Sequence, residues 1–147
     1  MTAAAVVDAS VALKWVLNES GSEWARALPM GATKTGAAKL VAPALLWTEC
    51  ANGLWRIARA APAGALDAEA AFRAITAMPV CIVDADLPLQ ASALRLGLEL
   101  AHPVYDCLYL ALALARDIPL ATADTRFLRL IARAGILPPD RLLTPPS

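Results

Sequence analysis

Four short apolar runs, Ala5-Val6-Val7, Leu40-Val41-Ala42, Val80-Cys81-Ile82-Val83 and Pro119-Leu120-Ala121-Thr122, are separated by stretches with helical periodicity. Each run is short and bounded by turn or cap residues, so each reads as a strand. Strands that alternate with helices build a parallel sheet covered on both faces, because a parallel connection needs a crossover long enough to hold a helix. The pattern predicts a three-layer α/β/α sandwich around a central parallel sheet of four to five strands. The fifth would be a short edge strand at Leu142-Leu143, inside a Pro-rich tail from about 136 to 147.

Helices are predicted from Ser10 to Leu17, Ser22 to Leu28, Pro43 to about Ala61, Asp67 to Met78, Leu87 to Leu100, Tyr105 to Arg116 and Thr125 to Ala134. Pro43 suits a first turn, Asp86 a cap, and Gly135 a stop. Pro29 to Lys39, rich in Gly, Ala, Thr and Lys, reads as a mobile loop. The chain of 147 residues has no internal repeat and no dividing linker, and its size is that of one domain.

Hydrophobic residues make up 59% of the chain, which raises the question of a membrane. No run approaches the roughly 20 apolar residues needed to cross a bilayer. The longest, Cys107 to Ala115, is bracketed by Asp106 and Arg116. No basic segment precedes the first apolar stretch, and Asp8 interrupts it early, so a signal peptide is not expected. Cys50, Cys81 and Cys107 lack paired spacing and read as reduced thiols in the core of a cytoplasmic protein. The single histidine, His102, is too little support for a zinc site and reads as a loop residue before Pro103. Net charge is zero, which argues against a protein that coats nucleic acid but not against an enzyme whose metal ions supply the positive charge.

Ligands of parallel α/β folds bind beyond the carboxyl ends of the strands. That rule picks out Asp8 and Asp124, each placed where a strand gives way to a helix. Asp106 opens a helix that is apolar almost all round, so its charge is costly to bury unless something positive meets it. Glu49 falls beside the inward stripe of its helix, marked by Leu45, Leu46, Gly53 and Ile57, with Asn52 one turn on. Each acid also has a plainer explanation. Asp8 and Asp124 are placed to cap helices, Asp106 suits a first turn, and Glu49 could pair with a distant arginine. Capping alone does not explain an acid on an inward stripe.

The segments Val7-Asp8-Ala9-Ser10, Pro43 to Leu54 around Glu49, Tyr105-Asp106-Cys107-Leu108-Tyr109-Leu110-Ala111-Leu112-Ala113 and Ala121-Thr122-Ala123-Asp124-Thr125-Arg126-Phe127 resemble, in order, motifs of the PIN-domain family. The likeness is to the VapC-like toxin branch of bacterial toxin–antitoxin pairs, and it runs to about residue 135. The resemblance implies that Asp8, Glu49, Asp106 and Asp124 form an acidic quartet that is catalytic and binds metal, with Ser10 and Thr122 as supporting hydroxyls. It also implies a metal-dependent endoribonuclease leaving 5′-phosphate and 3′-hydroxyl ends, a homodimer, and a VapB-like antitoxin laid across the active site. Oxygen-only ligands favour Mg²⁺, with Mn²⁺ as substitute. Crowded carboxylates should repel, so that without metal at least one holds a proton at raised pH. Asn52 is expected to support the site, and Arg56 and Arg126 to bind RNA; Arg59, Lys34 and Lys39 are further basic candidates. The long loop at Met30 to Lys39 and a weakly marked last strand depart from the family pattern.

Other readings are a catalytically silent PIN-like module that binds RNA or protein, and a haloacid-dehalogenase-like phosphatase. The phosphatase wants a second Asp two residues after the first, where this chain has Ser10. A response-regulator receiver wants paired acids after its first strand and a late lysine, and neither is present.

Overall fold

The computed structural model describes residues 4–34 and 39–147, with the backbone alone at 31–34. The apolar runs form β1 (Ala4–Val7), β2 (Lys39–Pro43), β3 (Val80–Val83), β4 (Leu120–Ala121) and β5 (Leu142–Leu143). They make one sheet in the order β3-β2-β1-β4-β5, with every neighbouring pair parallel. The helices are α1 (Ala9–Lys14), α2 (Ser22–Lys34), α3 (Leu45–Ala60), α4 (Ala68–Thr76), α5 (Leu87–Leu100), α6 (Val104–Arg116) and α7 (Thr125–Ala134). A single 3₁₀ turn at Pro139–Arg141 leads into β5, the edge strand expected from Leu142-Leu143.

From β1 the chain steps outward to β2 and β3, then crosses back to β4 and β5. Parallel crossovers are right-handed, so a reversal of direction moves the connecting helices to the opposite face. The packing follows that rule. On one side α1 lies against α2 and α3, and α3 against α4; on the other α6 covers β1, β2 and β4 and packs on α5, which meets α7. The winding reverses between β1 and β4, which leaves a crevice at the carboxyl ends of those two strands.

The core is strongest beneath that crevice. Helix α6 buries Cys107, Tyr109, Leu110, Ala111, Leu112 and Ala113, as its all-round apolar pattern requires. Val6, Val7 and Leu120 are fully buried between the layers. No single helix among the described residues is long and apolar enough to cross a membrane.

Two boundaries differ from the sequence reading. Helix α1 ends at Lys14 rather than Leu17, because Arg26 of α2 captures the carbonyls of Trp15 at 3.1 Å and Leu17 at 2.9 Å. Helix α2 does not stop at Leu28 but runs through Pro29 to Lys34, so the expected loop begins later. Pro29 forfeits one helical hydrogen bond, and the residue is buried. The rest of the expected loop, at 35–38, lies outside the described residues.

Helices α1 and α3 meet where Gly53 leaves room for Leu13. A Cβ built at Gly53 would stand 2.7 Å from Leu13 Cδ1. This close approach draws the helix that carries Glu49 toward the helix that Asp8 caps. Gly53→Val should therefore overpack the contact and lower stability by about 1–3 kcal/mol in urea unfolding. An unchanged midpoint would show that the contact relaxes freely.

Candidate functional site

Asp8 leaves β1 and caps α1. Its Oδ1 accepts from the Val11 amide at 3.2 Å and from the Ser10 hydroxyl at 2.5 Å. Ser10 Oγ also accepts from the Ala123 amide at 2.8 Å and lies 3.4 Å from Thr122 Oγ1. Ser10 has one proton and gives it to Asp8, so in that last contact Thr122 is the donor. Thr122 Oγ1 in turn accepts from the Asp124 amide at 3.2 Å. The two hydroxyls thus join the end of β1 to the end of β4. Asp124 caps α7, with Oδ1 accepting from the Phe127 amide at 3.0 Å. Asp8 and Asp124 each cap a helix, as the plainer explanation had it, and each also faces the crevice.

Glu49 is half-buried on α3, and its Oε1 accepts from the Tyr109 hydroxyl at 2.6 Å. Tyr109 is fully buried on α6 and was not singled out by sequence reasoning. The available signal was a tyrosine one turn past Asp106 on the most buried helix, where its hydroxyl must find a partner.

Asp106 sits in the first turn of α6, where a positive partner was not expected nearby. It has a hydrogen-bond partner instead, His102. Its Nε2 lies 2.7 Å from Asp106 Oδ2, and its side chain is only 6% exposed. The expectation of a loop residue at His102 is corrected in this respect: the backbone is a corner between α5 and α6, but the ring is buried, bonded to Asp106 and stacked on Phe127. The i,i+4 spacing to Asp106 was the signal.

These acids line one cavity of about 560 Å³, together with Ala9, Ser10, Leu13, Leu45, Thr48, Asn52, Arg56 and Tyr105. Asn52 and Arg56 follow Glu49 along the same wall of α3. Arg56 is the one basic residue among the described lining. Thr122 is buried beneath the floor. Among the described residues, the basic candidates Arg126, Arg59 and Lys39 are not brought there. Arg126 is exposed on α7 outside the lining, and Arg59 lies over the Trp55 ring at 4.9 Å. Lys39 opens β2 opposite Ala4, at the amino end of the sheet, away from the carboxyl ends where the acids gather. The side chain of Lys34 lies outside the described residues.

Burial pushes the Asp8 carboxyl from 3.8 up to about 6, against the Ser10 and Val11 hydrogen bonds, with a small further rise from the Asp106 charge. Repulsion among the acids was the expected cause of such a rise; desolvation is the larger one. Glu49 is also pushed up, mainly by burial, despite the Tyr109 bond. The thiols are not candidate nucleophiles: burial raises Cys50 to about 12 and Cys107 to about 11. Cys81 departs from the expected core placement and is exposed on β3.

The donor set fits a hard divalent cation. It offers carboxylate oxygens from four separated segments around one partly buried space, with a single arginine as counter-charge. His102, Asp106 and Asp124 also present ligand atoms within 4.8 Å of one another.

A doubly covered parallel sheet with a carboxylate-lined crevice at its reversal point defines the class of protein. The chain belongs to the PIN domain family, whose model matches residues 5–132. Among solved structures it is similar to PAE2754 from Pyrobaculum aerophilum, with 20% identity, a TM-score of 0.64, and coverage of 88% of this chain and 86% of that one. It is also similar to VapBC2 from Rickettsia felis bound to a promoter DNA fragment, with 13% identity, a TM-score of 0.60 and 96% of both chains covered. Both likenesses are in fold. Comparison with curated proteins found no match.

The raised Asp8 value carries a signed prediction for metal-free protein. The folded state takes up a proton on Asp8 more readily than the unfolded chain does, so this contribution to stability is complete below 3.8 and lost as pH rises through about 6. By pH 7 the buried charge costs about 3 kcal/mol. Asp8→Asn keeps the cap and removes the charge. With chelator present, the variant should gain stability over the native protein as pH rises from 4 to 7 in chemical unfolding. A difference that stays flat across that range would contradict the buried, uncompensated carboxylate.

Proposed function

We propose that the protein is a Mg²⁺-dependent endoribonuclease, active also with Mn²⁺, and the toxin of a VapBC-like toxin–antitoxin pair. The observation that carries this reading is the gathering of Asp8, Glu49, Asp106 and Asp124 around one cavity at the carboxyl edge of the sheet. Membership of the PIN domain family supports nuclease chemistry, since PIN domains are generally nucleases. The likeness in fold to a VapBC2 protein supports the toxin assignment.

Asp8, Asp106 and Asp124 are the residues that would hold the cation. When bound, it supplies Lewis-acid stabilisation of charge on the phosphate and lowers the pKa of a water. Ser10 and Thr122 hold the Asp8 and Asp124 ends of the site in register. Tyr109 fixes the plane of the Glu49 carboxylate, which binds the cation or orients the attacking water. Arg56 and Asn52 stand where a phosphate of the substrate strand would pass, and Arg126 is a more distant contact. Hydrolysis of the phosphodiester leaves 5′-phosphate and 3′-hydroxyl ends.

The proposed setting is cytoplasmic, with a second copy of the chain and a VapB-like antitoxin as partners. Exposed Leu87, Leu94 and Leu98 on α5, with Val104 and Tyr105 beside the cavity mouth, and Trp55 on α3, offer apolar surface for such contacts.

Structured RNA incubated with purified protein and Mg²⁺ or Mn²⁺ should be cut, and chelator should abolish cutting. Asp8→Asn should slow cleavage on the order of 100-fold or more, the scale of removing one member of a preorganised charge-stabilising set. Equal cleavage by the native protein and the variant would end the proposal. A protein that neither cuts RNA nor gives heat on titration with Mn²⁺ would be a silent binding module.

A further inference from the structure

The His102 ring makes contacts that the quartet does not explain. Nε2 meets Asp106 Oδ2 at 2.7 Å, one face stacks on the Phe127 ring with centroids 4.6 Å apart and planes 7° from parallel, and Nδ1 is buried with no partner among the described residues. A neutral imidazole carries one N–H. Placed on Nδ1, that proton would be a buried donor without an acceptor, and the Nε2 lone pair would face a carboxylate oxygen. The proton therefore belongs on Nε2, and His102 donates to Asp106.

Phe127 is fixed as firmly. It is 1% exposed, and its amide donates to Asp124 Oδ1 at 3.0 Å. Asp106, His102, Phe127 and Asp124 thus form a continuous chain of a hydrogen bond, a ring stack and a helix cap. It links acids that belong to α6 and to the start of α7. The His102 backbone is held by the corner itself: its amide donates to Gly97 O at 3.1 Å, Ala101 takes a left-handed conformation at φ 50°, and a Cβ at Gly97 would stand 3.0 Å from the His102 carbonyl.

We propose that His102, clamped on Phe127, is a positioning residue that sets the orientation of Asp106 relative to Asp124 and thereby the affinity of the site for a divalent cation. This rests on the cation-binding reading of the quartet. Groups that hydrogen-bond to ligating side chains typically change metal affinity about 10–100-fold when removed.

The test is calorimetric titration of the full chain with MnCl₂, alongside thermal melting of each variant. The native protein should bind Mn²⁺, and His102→Ala should weaken binding about 10–100-fold. His102→Gln should recover most of that loss, because the glutamine amide nitrogen reaches the place of Nε2. Phe127→Leu keeps the imidazole but removes its flat support, and should also weaken binding. Native-like affinity in His102→Ala would overturn the proposal while leaving the quartet as the cation site. His102→Gln binding as weakly as His102→Ala, with losses that track melting temperature alone, would reduce His102 to packing and overturn it too. A nitrogen coupling from His102 in the spin-echo spectrum of bound Mn²⁺ would make it a ligand instead. Absence of Mn²⁺ binding by the native protein would remove the cation reading itself, and this inference with it.

Discussion

The structure turns on a carboxylate held out of water. Asp8 is 6% exposed at the point where β1 hands over to α1, beside the reversal of the sheet. Its hydrogen bonds come from a backbone amide and a hydroxyl and carry no full positive charge. Dipoles of this kind soften the cost of burial without cancelling it, which is why the carboxyl titrates near 6. A group so placed is stabilised fully only by proton or cation. The rest of the site is arranged so that a cation would have company: Asp124 one strand away, Asp106 on the helix beneath, Glu49 across the crevice.

The fold builds this arrangement from ordinary parts. Val7 pairs with Ala121, so the residues following β1 and β4 emerge side by side. Each strand must turn into a helix there, and each helix needs a cap, which aspartate supplies. Ser10 and Thr122 then serve local and long-range ends at once, completing turns within their own segments and bonding across to the neighbouring strand. The same aspartates that end the strands and cap the helices therefore line the crevice. The exceptions are Glu49 and Asp106, whose supports are side chains rather than caps. Tyr109 and His102 perform that service from within or just before α6.

Much of this was legible in the sequence. Strand runs ending in acids, alternating with helical periodicity, implied the parallel sheet, and the family motifs marked the quartet in order. The two-residue β5 was visible as Leu142-Leu143 even inside a Pro-rich tail. What could not be read were interactions with no sequence period. Arg26 shortening α1 is a contact between elements, and Pro29 inside α2 is a buried residue, a tertiary placement that local propensity does not give. His102 beside a proline looked like a turn residue; only the closeness of the α5–α6 corner and the Phe127 face turns its ring inward. The distribution of basic residues was also beyond reach, because Lys39 and Arg59 are placed by strand direction and helix rotation. Of the candidates among the described residues, only Arg56 reaches the cavity wall.

The most direct measurement is anomalous diffraction from crystals of the native protein grown with Mn²⁺. A buried carboxylate whose charge is met by a cation predicts an anomalous peak in the crevice, within about 2.2 Å of carboxylate oxygens from Asp8 and at least one of Asp106 and Asp124. Well-ordered crystals with no peak there, or with Mn²⁺ bound only elsewhere on the surface, would contradict it.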